Sequence, residues 1–218
     1  VYSRVQNPTV AAFENLMAQA EAGEAAVGFA SGMAAISSTV LAFLRPGDRI
    51  ACIEHVYPDT YRLFERMLRP FGVEITYHPA EAFERNADLL AGVRMAYLES
   101  PSSLVFKPIN LPLVAEHARR HDALTVIDNS WATPVFQRPL TLGIDLVVHS
   151  ATKYLDGQGR VLGGAVAGNK VVTDEVFKFL RTAGPSLSPF NAWVILKGLE
   201  TLRIRMDAQS AAALELAR

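Results

Sequence analysis

Ile144-Asp145-Leu146-Val147-Val148-His149-Ser150-Ala151-Thr152-Lys153-Tyr154 is the stretch on which the reading of this chain turns. An apolar run delivers one lysine, flanked by the hydroxyls of Ser150 and Thr152 and trailed by the glycine-rich Asp156-Gly157-Gln158-Gly159. An amine at the end of a buried strand sheds its proton at low cost and can attack a carbonyl carbon. Hydroxyls on either side suit a phosphate. A lysine that carries pyridoxal 5'-phosphate (PLP) as a Schiff base needs this combination. A surface lysine in a loop after a strand is the plainer alternative, and the rest of the chain has to decide between them.

Outward from this segment, strand and helix patterns alternate. Strands are expected at Ala25–Phe29, Arg49–Ile53, Val73–Tyr77, Arg94–Leu98, Leu124–Ile127, Ile144–Val148 and Gly163–Ala167. Helices are expected from a Thr9 cap to about Glu21, from Ser31-Gly32-Met33 to the turn Arg45-Pro46-Gly47-Asp48, and over Asp59–Leu68, Ala82–Leu90 and Leu111–His121. Val171–Arg181, Pro189–Leu202 and Asp207–Arg218 also read as helical. Many strands are uniformly apolar instead of alternating, so both faces should be covered by helices. The pattern predicts an α/β domain with a mostly parallel sheet.

Composition bounds the partners. With 218 residues, half of them hydrophobic, the chain can bury a sizeable core. A formal net charge of -1 without a basic block argues against nucleic acid. The single cysteine, Cys52, excludes an internal disulfide and reads as a small apolar strand residue. Neither a membrane-spanning stretch nor a signal peptide is visible, so a soluble, cytoplasmic protein is expected, with no membrane partner and no metal site. The chain opens on Val1-Tyr2-Ser3-Arg4 and stops within a helical pattern, which reads as a fragment of a longer protein. A boundary is expected near Gly184-Pro185.

In open α/β sheets ligands sit beyond the carboxyl ends of the strands, and the polar residues of interest fall there. Glu99 follows one strand, Asp128 another, and Lys153 a third. A buried carboxylate opposite a pyridine nitrogen keeps that nitrogen protonated, and Asp128 is the candidate; a turn or cap aspartate is the ordinary alternative. Ser31-Gly32-Met33, between a strand and a helix, would aim amides at an anion, although the same tripeptide serves equally as a simple cap. Tyr57, at a loop-to-helix junction, could stack on a ring or be a semi-exposed loop tyrosine. Nothing internal to the sequence singles out Arg4, a residue type that often binds phosphate.

Taken together, Tyr2-Ser3-Arg4, Asn7-Pro8-Thr9, Ser31-Gly32-Met33-Ala34-Ala35, Glu99-Ser100-Pro101-Ser102, Asp128-Asn129-Ser130-Trp131-Ala132-Thr133-Pro134 and Ser150-Ala151-Thr152-Lys153-Tyr154 resemble the Cys/Met-metabolism PLP-dependent enzymes, the trans-sulfuration enzymes. The resemblance runs from Val1 to Arg218 in order and spacing. It implies the PLP fold type I (aspartate aminotransferase-like) large domain at residues 1–184, with 185–218 leading toward a C-terminal domain absent from this sequence. In the family that domain supplies an arginine for the substrate carboxylate. The resemblance makes Lys153 the Schiff-base lysine, Asp128 the pyridinium partner and Tyr57 the stacking residue, these three being catalytic. Ser31, Gly32, Met33, Ser150 and Thr152 would hold the phosphate, and Glu99 would line the cofactor site. Tyr2 and Arg4 would reach the phosphate of a neighbouring subunit, so a homo-oligomer, dimer or tetramer, is implied.

Within the family, Asp156–Ala165, Ser188–Trp193 and Gly198–Leu202 are similar to the O-succinylhomoserine sulfhydrylase branch. That branch implies γ-replacement on a homoserine ester by sulfide to give homocysteine. Cysteine as nucleophile, making the chain a cystathionine γ-synthase, or a cystathionine β- or γ-lyase activity, are the alternatives; a non-catalytic PLP-binding regulator is the distant one. Asp59 occupies a position where methionine γ-lyases typically carry cysteine, which argues against that activity. Two departures stand out: Pro58 replaces the usual glycine after the tyrosine, and Ser103 stands where an asparagine is expected near the cofactor's 3-hydroxyl.

Overall fold

The computed structural model describes residues 2–218; Val1, where the resemblance begins, lies outside the described residues. In chain order the elements are α1 (Pro8–Glu21), β1 (Ala25–Phe29), α2 (Gly32–Phe43), β2 (Arg49–Ile53), α3 (Pro58–Leu63), β3 (Glu74–His78), α4 (Ala80–Arg85) and β4 (Met95–Glu99). There follow α5 (Leu111–Arg120), β5 (Leu124–Asp128), α6 (Thr133–Phe136), β6 (Leu146–Ser150), β7 (Gly164–Gly168), α7 (Lys170–Ala183), α8 (Pro189–Leu199) and α9 (Leu202–Leu216). Among the described residues the strands form one seven-stranded sheet in the order β1-β7-β6-β5-β4-β2-β3. β7 runs antiparallel to both neighbours, and the other strand pairs are parallel.

Burial explains the uniform strands. Met95 to Leu98 of β4, Thr125 to Asp128 of β5 and Leu146 to His149 of β6 are buried throughout, as strands covered on both faces must be. A large core under α2, α5 and α7 includes Phe64, Phe83, Tyr97 and Val148, and a smaller one joins Phe13 and Met17 of α1 to Leu187 and Ile195. Ser186 bridges to Phe29 of β1, and α8 packs on α1. No helix among the described residues is long and apolar enough to cross a membrane.

Several boundaries depart from expectation. The α1 cap is Asn7, whose side chain accepts from the Thr9 amide at 2.9 Å, because Pro8 takes the first helical position and needs no N–H acceptor there. The helix expected at Asp59–Leu68 begins at Pro58 and widens into a π turn over Phe64–Leu68. The one expected at Ala82–Leu90 is split by the extended Asn86 into α4 and a 3-10 turn, Ala87–Leu90. β3 ends on His78, one residue later than expected. The helix expected to run to Leu202 stops at Leu199, and α9 starts afresh at Leu202. Sequence reading missed α6, a short helix that directly follows the Asp128 motif.

Candidate active site

The carboxyl ends of β4, β5 and β6 open into a cleft of about 670 Å³. Ser31, Gly32, Met33, Tyr57, Glu99, Asp128, Ser150, Thr152 and Lys153 all line it, so nearly every residue singled out in the sequence converges on one place. Tyr2 and Arg4 are not among its walls. Arg4 donates to the Arg181 carbonyl and lies 5.0 Å over the Tyr2 ring, on another part of the surface.

Lys153 sits in the turn after β6, where its amide donates to the Ser150 carbonyl at 3.1 Å. The side chain is exposed to the cleft, so the strand does not bury the amine as the sequence suggested. Among the described residues the amine has no hydrogen-bond or ion-pair partner. Its Nζ is open to the cleft.

The α2 N-terminus faces this lysine. Ser31 caps the helix, its hydroxyl accepting from the Ala34 amide at 3.0 Å, and the first-turn amides of Gly32 and Met33 are left without intrahelical acceptors. A Cβ on Gly32 would lie 2.6 Å from Ser150 Cβ and 2.8 Å from its hydroxyl oxygen. The close approach of α2 to β6 therefore by itself requires the glycine. That approach sets the free Ser150 hydroxyl beside two free amides. Thr152 differs from expectation: its hydroxyl accepts from the Gly163 amide at 3.1 Å and is turned toward the Gly163 carbonyl, fixing the loop after Lys153.

Two carboxyls form the floor. Glu99 and Asp128 are register partners on adjacent parallel strands, so their side chains share a face. Burial pushes Asp128 above its ordinary value, opposed by hydrogen bonds from Ser130 and by the His149 imidazole; the Ser130 amide donates at 2.9 Å. Burial, then the Asp128 charge, push Glu99 up to about 8, against the Tyr57 amide that donates to its Oε2 at 2.8 Å. Raised to about 8, Glu99 holds its proton near neutrality, with the neighbouring Asp128 among the causes. A raised acid favours the folded state while protonated. Its contribution is complete below the ordinary value of 4.5 and is lost as pH climbs through about 8. Glu14, raised to about 7 by burial on α1, adds to the same decline. Glu99→Gln keeps an acceptor for the Tyr57 amide and should flatten part of it. Thermal midpoints of both proteins measured across that range test this, and equal slopes would refute it.

Tyr57 is 39% exposed at the cleft edge. Its hydroxyl donates to Asp59 at 3.1 Å, and that hydrogen bond raises the phenol above its ordinary value. Arg62 in turn pairs with Asp59. A phenol held neutral in this way suits stacking better than proton abstraction. Asp59 was flagged in the sequence only as a departure from methionine γ-lyases; its contact with Tyr57 had no sequence signal beyond the short spacing. Ser130, whose hydroxyl accepts from the Ser150 amide at 2.6 Å, and Gln209 of α9, which lines the cleft, were also missed. Ser103 lines the cleft where asparagine had been expected.

This donor set fits a PLP molecule. A free amine, a buried carboxylate and an anion site of two amides and a hydroxyl face one cavity, and an aromatic ring borders it. The profile described as Cys/Met metabolism PLP-dependent enzyme matches residues 1–218. The chain belongs to that family. Pyridoxal phosphate is the cofactor of the Cys/Met metabolism enzymes. Over its full length the chain is 47% identical to O-succinylhomoserine sulfhydrylase of Pseudomonas aeruginosa, covering 54% of that protein. It is 42% identical to cystathionine beta-lyase of Coxiella burnetii, again over the full chain and 57% of the relative. The crystal structure of metB from Corynebacterium glutamicum superimposes with a TM-score of 0.92 at 32% identity, covering all of this chain and 58% of that one. The fold is therefore that of the type I PLP enzymes, and the chain spans about half the length of the curated relatives it matches.

Proposed function

We propose that the protein containing this chain transfers the homoserine skeleton of O-succinylhomoserine to sulfide, releasing succinate and forming homocysteine. The observation that carries the PLP chemistry is the unpartnered Lys153 amine facing the same cleft as Asp128, Ser150 and the α2 N-terminus. The choice of substrate is supported by the 47% identity to an O-succinylhomoserine sulfhydrylase.

In this reading Lys153 would anchor PLP, Asp128 would keep its ring nitrogen protonated, Tyr57 would stack on it, and Ser150 with the Gly32 and Met33 amides would take the phosphate. Bound PLP supplies an electron sink for breaking bonds at the substrate's α- and β-carbons. The Lys153 Nζ would carry a proton from one substrate carbon to its neighbour. Its exposure to the cleft and lack of competing partners leave it free to move between these atoms. Ser31 and Thr152 hold the α2 cap and the loop after Lys153 in place. Glu99 fixes the Tyr57 amide. Tyr2 and Arg4, which lie away from their own cleft, serve the cofactor of a neighbouring subunit, so the working enzyme is a homo-oligomer.

A second reading, cystathionine synthesis or cleavage, is favoured by the 42% identity to a cystathionine beta-lyase. The full-length enzyme loaded with PLP should form homocysteine from O-succinylhomoserine and sulfide at least about tenfold more efficiently than cystathionine from the same ester and cysteine. Faster cystathionine formation, or cleavage of cystathionine as the dominant activity, would overturn the sulfhydrylase assignment.

A further inference from the structure

Behind the carboxyl floor lies a polar cluster that the proposed chemistry does not use. Side chains alternate across a sheet, so the immediate neighbour of each site residue points to the opposite face. On that face Asn129 follows Asp128, His149 precedes Ser150, and the α1 end contributes Glu21. Glu21 and His149 are both fully buried, and the imidazole Nε2 hydrogen-bonds Glu21 Oε1. The same oxygen accepts from Asn129 Nδ2 at 2.9 Å, which also donates to the Gln137 carbonyl at 2.9 Å. Gln137 Nε2 returns to Asn129 Oδ1 at 2.9 Å and reaches the Ser100 carbonyl, directly after Glu99, at 2.8 Å. One hydrogen-bonded chain thus ties α1 to the ends of β4, β5 and β6.

Such a cluster is costly. Burial without solvent strips both ionisable groups of hydration, and apolar residues of similar volume often stabilise a core as well or better. Here Glu21 Oε2 and His149 Nδ1 also have no hydrogen-bond partner among the described residues. Packing alone does not account for it. The electrostatic consequence falls on Asp128, whose charged form the imidazole favours.

We propose that Glu21 and His149 are positioning residues for Asp128: through Asn129 and the end of β6 they hold its carboxylate in place at the cleft. This rests on the assignment of Asp128 as the ring-nitrogen partner. Neither residue touches the cleft, so their effect must pass through Asp128.

The test uses the full-length protein loaded with PLP labelled by 15N in the ring. The ring-nitrogen chemical shift and the PLP dissociation constant are read for Glu21→Gln, His149→Gln, Asp128→Asn and the packing control Met17→Leu. Met17, one turn before Glu21 on α1, is buried in the small apolar core and has no polar role. Glu21→Gln and His149→Gln should each shift the nitrogen signal toward the unprotonated position and weaken PLP about tenfold, as loss of a charge-assisted contact does. Met17→Leu should leave both unchanged. If Asp128→Asn moves the signal and neither network variant does, the positioning role is overturned while the Asp128 assignment stands. If Asp128→Asn leaves the signal in place, the assignment itself falls, and the positioning role with it. Should one network variant fail to fold, the other decides.

Discussion

Lys153→Ala in the full-length, PLP-loaded enzyme should abolish the visible absorbance that PLP acquires on bonding to the protein and lower turnover by at least about 10⁴-fold. Acid–base catalysis by one positioned group is commonly worth about 10²–10⁴, and Lys153 is assigned the covalent anchor as well. The loss should be chemical and not structural. The side chain is exposed and has no partner among the described residues, so truncation should change stability by no more than about 0.5 kcal/mol. Spectra, turnover and thermal midpoint measured on one preparation test all three statements. A retained visible band would remove Lys153 from the chemistry.

Asp128→Asn should cost on the order of 10²–10³-fold in turnover, the usual consequence of removing one preorganised electrostatic group. Asparagine keeps an acceptor for the Ser130 amide, so the local turn should survive. What disappears is the negative charge. That charge is the second cause of the raised Glu99 value, so Glu99 should ionise at lower pH in the variant. The alkaline loss of stability should weaken with it, because less of the proton's preference for the folded state remains. Steady-state kinetics checks the first effect, and thermal midpoints across the range from 4.5 to about 8 check the second. Unchanged kinetics with an unchanged stability profile would show that the two carboxyls act independently and that Asp128 does not face the cofactor.

The two predictions differ in how far the sequence could have supported them. Lys153 was legible because a lysine between hydroxyls after an apolar run is a local pattern, and the family motifs around it are local too. Asp128 was legible once the lysine was in hand, since a carboxylate at a strand end falls where such sheets bind ligands. The sheet itself was readable from its apolar runs, because strands buried on both faces leave no alternation. Boundaries were less so. Asn86 interrupts an otherwise helical pattern by adopting an extended backbone, and the π turn at Phe64–Leu68 keeps a helix-like sequence.

Contacts between distant segments were out of reach. The role of Gly32 looked like ligand approach, yet the neighbour that excludes a side chain there is Ser150, 118 positions further along. Thr152 carried the right hydroxyl for a phosphate, but the fold gives that hydroxyl to Gly163. Asp59 stands out in the sequence only as a family departure, whereas its position within reach of the Tyr57 hydroxyl makes it the group that keeps the phenol neutral.

From the sequence alone came the family, the cofactor and the identities of the groups that line the cleft, because each is encoded in a short motif whose chemistry depends on residue type and spacing. Only the tertiary structure decided which ionisable groups lie against one another. Glu99 lies opposite Asp128 because β4 and β5 are paired in register, and His149 meets Glu21 because β6 passes beneath the end of α1. Burial and through-space distance set proton affinity, and neither is a property of any single segment of the chain.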